Sequence, residues 1–133
     1  MKAVSARVTR GLNIGSKVFA CDNSGARMVR ITGIKRGKSR HGRQHSAKVG
    51  DWVKVSVREG NPEMRGKVFD AIVVRQKKPW RRYTGERICF ADNAVVLLKD
   101  EKGNPKGTQV KGAVAREISE RWSSVSKLAK IIV

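Results

Sequence analysis

Residues 51–58 read DWVKVSVR, and this stretch decides the fold class. Val53, Val55 and Val57 are separated by polar residues, which is the period of two of a strand with one buried face. Residues 68–74 are more continuously apolar, a pattern that favours a strand covered on both faces. The centre of the chain therefore predicts two strands, one half-buried and one fully buried.

Shorter apolar runs on either side extend the strand pattern. They occupy residues 17–21, 26–34, 88–90 and 94–98, and the segments between them are rich in glycine and other turn residues. Short strands with such connections predict a mainly β fold, either a small closed barrel or a sandwich.

The C-terminal part of the chain changes period. Within residues 113–122, Val114, Ile118 and Trp122 fall four residues apart, which predicts a helix. A second short helix is predicted over residues 125–131. Apolar stripes at helical spacing usually belong to a core, which favours core packing for Trp122 and leaves a partner contact as the alternative.

Length and charge limit the architecture and the partner. The 133 residues suit one domain, and no internal repeat or low-complexity linker divides them. Lys and Arg number 30 against 11 Asp and Glu, which gives a formal net charge of +19 and a pI of ≈ 11.0. A self-repelling charge of this size requires a polyanionic partner. Nucleic acid is favoured over a membrane surface because no basic amphipathic helix is evident.

Other protein classes are excluded by the distribution of apolar residues and cysteines. Residues 94–98, the longest clean apolar stretch, are far shorter than the roughly 20 residues of a membrane helix. Residues 1–20 contain no apolar segment of the kind found in secretory signals. Cys21 and Cys89 are too few for a disulfide framework, which indicates the reducing cytosol. Their isolated spacing disfavours zinc, so both are expected to be core thiols.

The pattern of polar residues does not favour catalysis. His41 and His45 have no nearby carboxylate, and no Gly-x-Ser-x-Gly or Cys/His arrangement occurs. Residues 60–68 resemble a phosphate loop, yet the glycines are one residue too far apart and Val68 stands where a hydroxyl is needed. We therefore expect no enzyme activity, no cofactor and no bound metal.

The densest charge lies in residues 35–48, called here the basic loop because it connects two predicted strands. It contains six Lys and Arg residues, two His residues and no acid. Glycines let the backbone approach phosphates closely, and Arg binds phosphate oxygens in pairs. The alternative is an ordinary solvated loop. The expected nucleic-acid contacts in this loop are Lys35, Arg36, Lys38, Arg40, His41, Arg43 and Lys48.

A second basic segment, residues 75–90, is called here the ribbon because it leaves one predicted strand and returns to another. Aromatic residues among its cations suit stacking on an unpaired base. For Trp80 the alternative is packing against the barrel, as buried Trp is common. The expected contacts are Arg75, Lys77, Lys78, Trp80, Arg81, Arg82, Tyr83 and Arg87.

Four separated motifs resemble one known family. Residues 21–27 read CDNSGAR. Residues 71–74 read AIVV, and they are followed by the basic ribbon and by Gly85, Phe90, Asn93, Val96 and Leu97. The last two motifs are GNPKGT at 103–108 and GAVARE at 112–117. Together they resemble the universal large-subunit ribosomal proteins of the L-fourteen family over residues 12–133. The first eleven residues resemble the additional N-terminal segment of archaeal and eukaryotic members, and the chain is most similar to an archaeal one.

The resemblance implies a five-stranded barrel with a projecting ribbon and two small C-terminal helices. It divides a single domain, 1–133, into an N-terminal extension (1–11), a barrel (12–100) that carries the ribbon, and a loop with the C-terminal helices (101–133). It also implies binding to large-subunit rRNA on the face that meets the small subunit, with bridges to small-subunit rRNA. Neighbouring ribosomal proteins and an anti-association factor are the implied protein partners; no membrane and no homo-oligomer are expected.

The C-terminal segment mixes both charges, which favours protein or bridge contacts over phosphate binding alone. The expected contact residues are Asn104, Lys106, Arg116, Glu117, Arg121 and Trp122. Two other functions compete with a ribosomal role. A free RNA-binding factor would carry more aromatic residues than the 5% found here, and an RNA-processing enzyme would carry a carboxylate cluster for metal ions.

Overall fold

The computed structural model describes residues 4–37, 39 and 41–133. Lys38 and Arg40, two of the expected contacts in the basic loop, lie outside the described residues. The elements in chain order are β1 (Leu12–Asn13), β2 (Lys17–Ala20), β3 (Ala26–Ile34), β4 (Ser46–Ala47), β5 (Trp52–Gly60), β6 (Val68–Arg75), β7 (Trp80–Arg81), β8 (Arg87–Ile88), β9 (Ala94–Leu97), β10 (Val110–Val114), α1 (Arg116–Arg121), α2 (Ser123–Ser126) and β11 (Ala129–Ile132).

Five strands close into a barrel in the order β2-β3-β5-β6-β9. Neighbours are antiparallel except β2 and β9, whose parallel pairing closes the barrel. Val53, Val55 and Val57 are almost completely buried in the barrel interior, while Lys54 between them is exposed. The alternation in residues 51–58 therefore predicts the strand and its buried face correctly, and the fold is the expected barrel rather than a sandwich.

A second core covers the outside of β6 and β9. Ala71 and Val73 point into the barrel, whereas Ile72 and Val74 belong to an apolar cluster on the opposite face. Helix α1 and strand β10 supply much of the cover. Residues 71–74 are buried on both faces, as the sequence predicts, but the first residue of the run, Val68, is 59% exposed.

The N-terminal segment also belongs to this second core. Ala6 and Val8 are only 3% and 2% exposed, and they pack in the same cluster as Trp80. The segment predicted as an extension over residues 1–11 is thus fixed to the body of the protein by two small apolar side chains, as far as the structure describes it.

The C-terminal prediction is correct in having two helices and wrong in their extents. Helix α1 begins at Arg116, because residues 110–114 form β10. Helix α2 has four residues, and the remainder of the expected second helix is β11, which pairs parallel with β10. The Val133 N–H donates to Val114 O at 2.9 Å, and its own oxygen accepts from Arg116 N–H at 2.8 Å. This long-range pairing outweighs the local helical pattern.

The two cysteines have different environments. Cys21 is buried, and desolvation raises its pKa to about 12. Cys89 is exposed because β8 ends at Ile88 and the chain turns away, so the prediction of a core thiol is wrong for Cys89. Among the described residues, no helix is long and apolar enough to cross a membrane.

Candidate nucleic-acid interface

The basic loop leaves the barrel at the end of β3 and rejoins the body at β4, which pairs with β1. Arg36, His41 and Arg43 are exposed, and Arg36 and His41 adopt positive φ angles of 57° and 52°. Such angles are uncommon for residues other than glycine and are typical of tight turns. The described part of the loop therefore presents cations to solvent.

Two residues of the basic loop also contact the body of the protein. The Lys35 ammonium lies 4.1 Å from the centroid of the Trp52 ring, a cation–π contact. The main-chain N–H of Lys48 donates to Asp51 Oδ2 at 2.9 Å, and the Lys48 side chain is half-buried. Both ends of the loop are thus anchored, and its middle carries the exposed charges.

The ribbon is a short hairpin in which β7 pairs with β8. Its turn is closed by the Gly85 N–H, which donates to Arg82 O at 3.0 Å, and Gly85 has a φ of 95° that favours glycine. Tyr83 stands at the tip with 92% of its surface exposed. Exposed cations flank the tip along the ribbon, namely Lys77, Lys78, Arg81 and Arg87.

Trp80 does not offer a face to a base. It is 2% exposed, packs 5.9 Å from the Phe90 ring and donates its indole N–H to Glu117 Oε1 at 3.1 Å. In a two-residue strand, alternate side chains point to opposite sides, so Trp80 faces the second core while Arg81 faces solvent. The stacking interpretation is wrong for Trp80 in this structure, and the alternative of packing against the body describes it.

Arg82 is also turned inward, although it was expected to bind phosphate. Its Nε and Nη2 donate to the two Glu117 carboxylate oxygens at 3.0 and 3.1 Å, and Nη2 donates to Val133 O at 2.8 Å. Burial alone raises the pKa of Glu117, but the hydrogen bonds from Arg82, the main chain and Trp80 bring the pKa below its ordinary value. Glu117, expected at a protein contact, is instead an internal partner of the ribbon.

Arg75 is a third expected contact that the structure places inside the protein. It is 9% exposed and donates from Nε and Nη2 to Asp92 at 2.8 and 3.0 Å. Its Nη1 donates to the carbonyl oxygens of Lys111 and Ala113 at 2.8 and 3.0 Å. An arginine with these partners ties β6 to β10, and it is not available to an rRNA phosphate.

Lys78 is exposed and partly engaged. Its ammonium donates to the carbonyl oxygen of Thr9 and, at 3.3 Å, to that of Arg10. These contacts connect the base of the ribbon to the N-terminal segment. Together with the Arg82–Glu117 pair, they fix the direction in which the ribbon projects.

The residues expected at protein or bridge contacts separate into two groups. Asn104, Lys106 and Arg116 are exposed, and Lys106 lies 5.2 Å from the Phe69 ring centroid. Trp122 is half-buried, packs 5.6 Å from Trp52 and donates its indole N–H to Gly50 O at 2.8 Å, which agrees with the expected core packing. Arg121 is half-buried beside Asp51.

Comparison with known proteins decides the family. A sequence model of the family described as "Ribosomal protein L14p/L23e" matches residues 11–133. The chain belongs to this ribosomal protein family. Its relatives named "Large ribosomal subunit protein uL14" include those of Nanoarchaeum equitans, 50% identical, and of Halobacterium salinarum and Thermoplasma acidophilum, each 44% identical. Each match spans 133 residues and all of both chains.

Membership of this family makes the chain a structural protein of the large ribosomal subunit and not an enzyme. The relatives just named are archaeal, which confirms the archaeal character inferred from the sequence. The family also assigns the chain to translation and to the ribosome.

Two of the motifs that the chain shares with this ribosomal family meet in the structure. The Asn23 side-chain oxygen accepts the N–H groups of Thr108 and Gln109 at 2.8 and 3.2 Å, and its amide donates to Thr108 Oγ1 at 2.8 Å. A Cβ on Gly107 would lie 2.6 Å from the same Asn23 oxygen, so the close contact between the two segments requires glycine at position 107. The turn at residues 22–25 therefore holds the loop that carries Asn104 and Lys106.

Sequence reasoning missed a cleft between the basic loop and the junction of α1 and α2. It has a volume of about 800 Å³, and its lining includes Trp52 and Lys102, neither of which was proposed as a site residue. The only sequence signal was the position of Trp52 at the start of a strand whose alternate valines fill the barrel. That position points Trp52 outward, but it does not show what Trp52 meets there.

Proposed function

We propose that this member of the ribosomal family binds large-subunit rRNA through the basic loop and the ribbon, and that it contributes to bridges with the small subunit. One observation carries the proposal. Among the described residues, the exposed cations on these two projections have no acidic partner within salt-bridge distance, while the ion pairs involve the less exposed Arg75, Arg82 and Arg121. Two of these cations, Lys35 and Lys78, already contact the Trp52 ring and the N-terminal segment. The remaining five are called here the outer set: Arg36, Arg43, Lys77, Arg81 and Arg87.

The barrel supplies the rigid part of this mechanism, and the two projections supply the contacts. Each outer-set cation that neutralises an rRNA phosphate releases a condensed counterion, which makes binding dependent on salt. Phosphate contacts of this kind position the protein without reading sequence. Tyr83 adds an exposed ring at the tip of the ribbon, where an unpaired base can stack on it.

Bridge and protein contacts are proposed for Asn104, Lys106 and Arg116. The proposal is supported by the exposure of these three residues. It is also supported by the hydrogen bond between Asn23 and Thr108, which holds in place the loop that carries Asn104 and Lys106. The proposed partners of this surface are small-subunit rRNA, neighbouring large-subunit proteins and an anti-association factor that covers the exposed face when the subunits are apart.

Site-specific crosslinking in assembled ribosomes tests both parts of the proposal. A photoreactive residue at position 43 or 83 should crosslink to large-subunit rRNA in isolated large subunits. A residue at position 106 should crosslink to small-subunit rRNA or protein only after the subunits join. Position 63, exposed in the turn between β5 and β6, serves as the control. Crosslinks from positions 43 and 83 to proteins alone would refute the rRNA assignment.

A further inference from the structure

The cleft beside the basic loop is strongly cationic. Trp52 and Trp122 lie on one side of it, and the acids in its lining are Asp51 and Glu101. The Lys and Arg residues of the lining come from the basic loop, the loop after β9 and the end of α1: Lys35, Arg36, Arg43, Lys48, Lys102 and Arg121. This excess of positive charge in a concave site favours an anionic ligand.

Two buried donors in the cleft lining lack an acceptor. Trp52 is 6% exposed, and neither its Nε1 nor the Nε of Arg121 has a hydrogen-bond partner within the part of the chain that the structure describes. The neighbouring indole of Trp122 does have one, the Gly50 carbonyl. Buried polar groups without partners are rare in folded proteins. Because both groups are N–H donors, the missing group is an acceptor.

Arg121 has only weak polar partners among the described residues, and its guanidinium carbon lies 5.4 Å from the centroid of the Trp122 ring. Its Nη1 lies 3.5 Å from Asp51 Oδ1 and 3.5 Å from Val4 O, at the limit of hydrogen-bond distance. Asp51 already accepts the Lys48 N–H through its other oxygen at 2.9 Å. The guanidinium therefore keeps most of its donors for another anion. Because both unpartnered nitrogens are buried, a phosphate reaches them only after the side chains of Arg121 and Trp52 shift, and the weak contacts of Arg121 permit its part of this movement.

The position of Lys35 restricts the kind of ligand. Its ammonium lies over the Trp52 ring, 4.1 Å from the centroid, so a base cannot stack on that face. The same ammonium adds charge beside the unpartnered indole N–H. A compact group with several anionic oxygens fits this arrangement better than a flat ring, and a phosphate has that chemistry.

We propose that the cleft binds one backbone phosphate of an RNA strand, with the Arg121 guanidinium, the Lys35 ammonium and the Trp52 indole N–H as donors. The inference rests on the proposed function, because RNA supplies the phosphate. It extends that function by adding Trp52 and by changing the role of Arg121 from a protein contact to a phosphate ligand.

The test uses the full chain labelled with 5-fluorotryptophan and followed by fluorine NMR. Trp52, Trp80 and Trp122 give one signal each, assigned with single Trp→Phe variants. On titration with inorganic phosphate at constant ionic strength, the Trp52 signal should shift and saturate. The Trp80 signal should stay in place, since its indole is bonded to Glu117 outside the cleft. No shift, a shift without saturation or equal shifts of all signals would overturn the proposal.

Matched variants test whether the named donors bind the phosphate. Arg121→Lys keeps the charge but loses the guanidinium fork, and it should weaken phosphate binding roughly tenfold. The control is Arg65→Lys, the same change in the exposed turn between β5 and β6, which should leave binding unchanged. An unshifted Trp80 signal shows that the fold is retained. If Arg121→Lys perturbs the fold, the exposed Lys35→Gln replaces it; unchanged binding in that variant overturns the proposal.

Binding to an rRNA fragment, measured on the same labelled chain, separates this inference from the proposed function. If the chain binds RNA tightly and the Trp52 signal does not shift, the cleft site is refuted and the basic loop and ribbon remain the proposed RNA contacts. A Trp52 shift with phosphate but no RNA binding refutes both the RNA assignment of the cleft and the proposed function. A larger shift with an oligoglutamate peptide than with RNA would show that the cleft takes an acidic protein segment instead.

Discussion

The two aromatic residues of the ribbon, Trp80 and Tyr83, lie three positions apart and have opposite environments. Trp80 is buried against Phe90 and Glu117, whereas 92% of the Tyr83 surface is exposed at the tip. One ring therefore holds the base of the ribbon to the second core. The other lies exposed at the tip and is the ring that we propose stacks on RNA.

Replacing Tyr83 should affect binding without affecting folding. If the ring stacks on a base, Tyr83→Ala should weaken binding to an rRNA fragment by about 1–3 kcal/mol. The exposed ring makes few internal contacts, so the free energy of unfolding should stay within about 0.5 kcal/mol. Filter binding and urea denaturation measure the two quantities. Tyr83→Phe, which keeps the stacking surface, should retain the affinity; equal losses in both variants would contradict stacking.

Glu117 gives the stability of the free chain a specific pH dependence. Its folded-state pKa is lower than the ordinary value of 4.5, so Glu117 is ionised in the folded protein at pH values where the unfolded chain is already protonated. The stabilisation is complete above 4.5 and is lost as the pH falls through the folded pKa. Buried Asp22 has a raised pKa and acts in the opposite direction, so the wild-type profile alone is ambiguous.

The difference between wild type and Glu117→Gln isolates this contribution. The variant should have a lower free energy of unfolding than the wild type near neutral pH. This difference in free energy should become smaller as the pH falls below about 4.5. Urea denaturation at a series of pH values measures it, with Glu120→Gln as the control, because Glu120 is exposed in the same helix. A gap that stays constant with pH would show that the carboxylate charge of Glu117 is not what stabilises the ribbon.

At the scale of elements, the barrel strands were predictable because each contains its own periodic signal. Val53, Val55 and Val57 alternate, and the apolar run at residues 71–74 is buried on both faces. The β10–β11 pair was not predictable in this way. Its register joins Val110 to Ala129 and Val114 to Ile132, and such parallel contacts between distant residues leave no local period.

The sequence predicts where the two charged projections lie, but it does not predict which of their side chains point outward. Runs of cations between strands predict projections that face a polyanion, but each run mixes outward and inward side chains. Arg75 and Arg82 look like Arg81 and Arg87 in the sequence. Only the tertiary structure shows that Asp92 and Glu117 pair with the first two.

The same substitution should affect stability at Arg75 and RNA binding at Lys77. Arg75→Met removes charged hydrogen bonds between β6, Asp92 and β10, and it should lower the free energy of unfolding by about 1.5–3 kcal/mol. Lys77→Met changes an exposed cation, and it should leave stability nearly unchanged while weakening rRNA binding. Urea denaturation and filter binding under conditions where both variants are folded give the comparison. Equal effects on RNA affinity would contradict the internal role of Arg75.

At the scale of the whole molecule, the net charge is +19. Within the described residues, the buried Arg75 and the inward-turned Arg82 are paired with acids, while the outer set has no acidic partner. Arg75 and Arg82 hold the architecture together, and the outer set remains for a polyanion. The protein is thus a barrel that presents two charged projections in fixed directions. In the large subunit, this arrangement suits a component that is held by many weak phosphate contacts.

The most direct test of this account is the salt dependence of rRNA binding. Replacing Arg36 and Arg43 together with Gln should flatten the slope of log K against log salt by about 2 units, since each lost phosphate contact contributes about 1. The control replaces Arg58 and Arg65 with Gln, which removes the same charge from exposed positions near the opposite end of β5. The account predicts an unchanged slope for the control. An unchanged slope for the Arg36 and Arg43 variant, or an equal change in both, would contradict it.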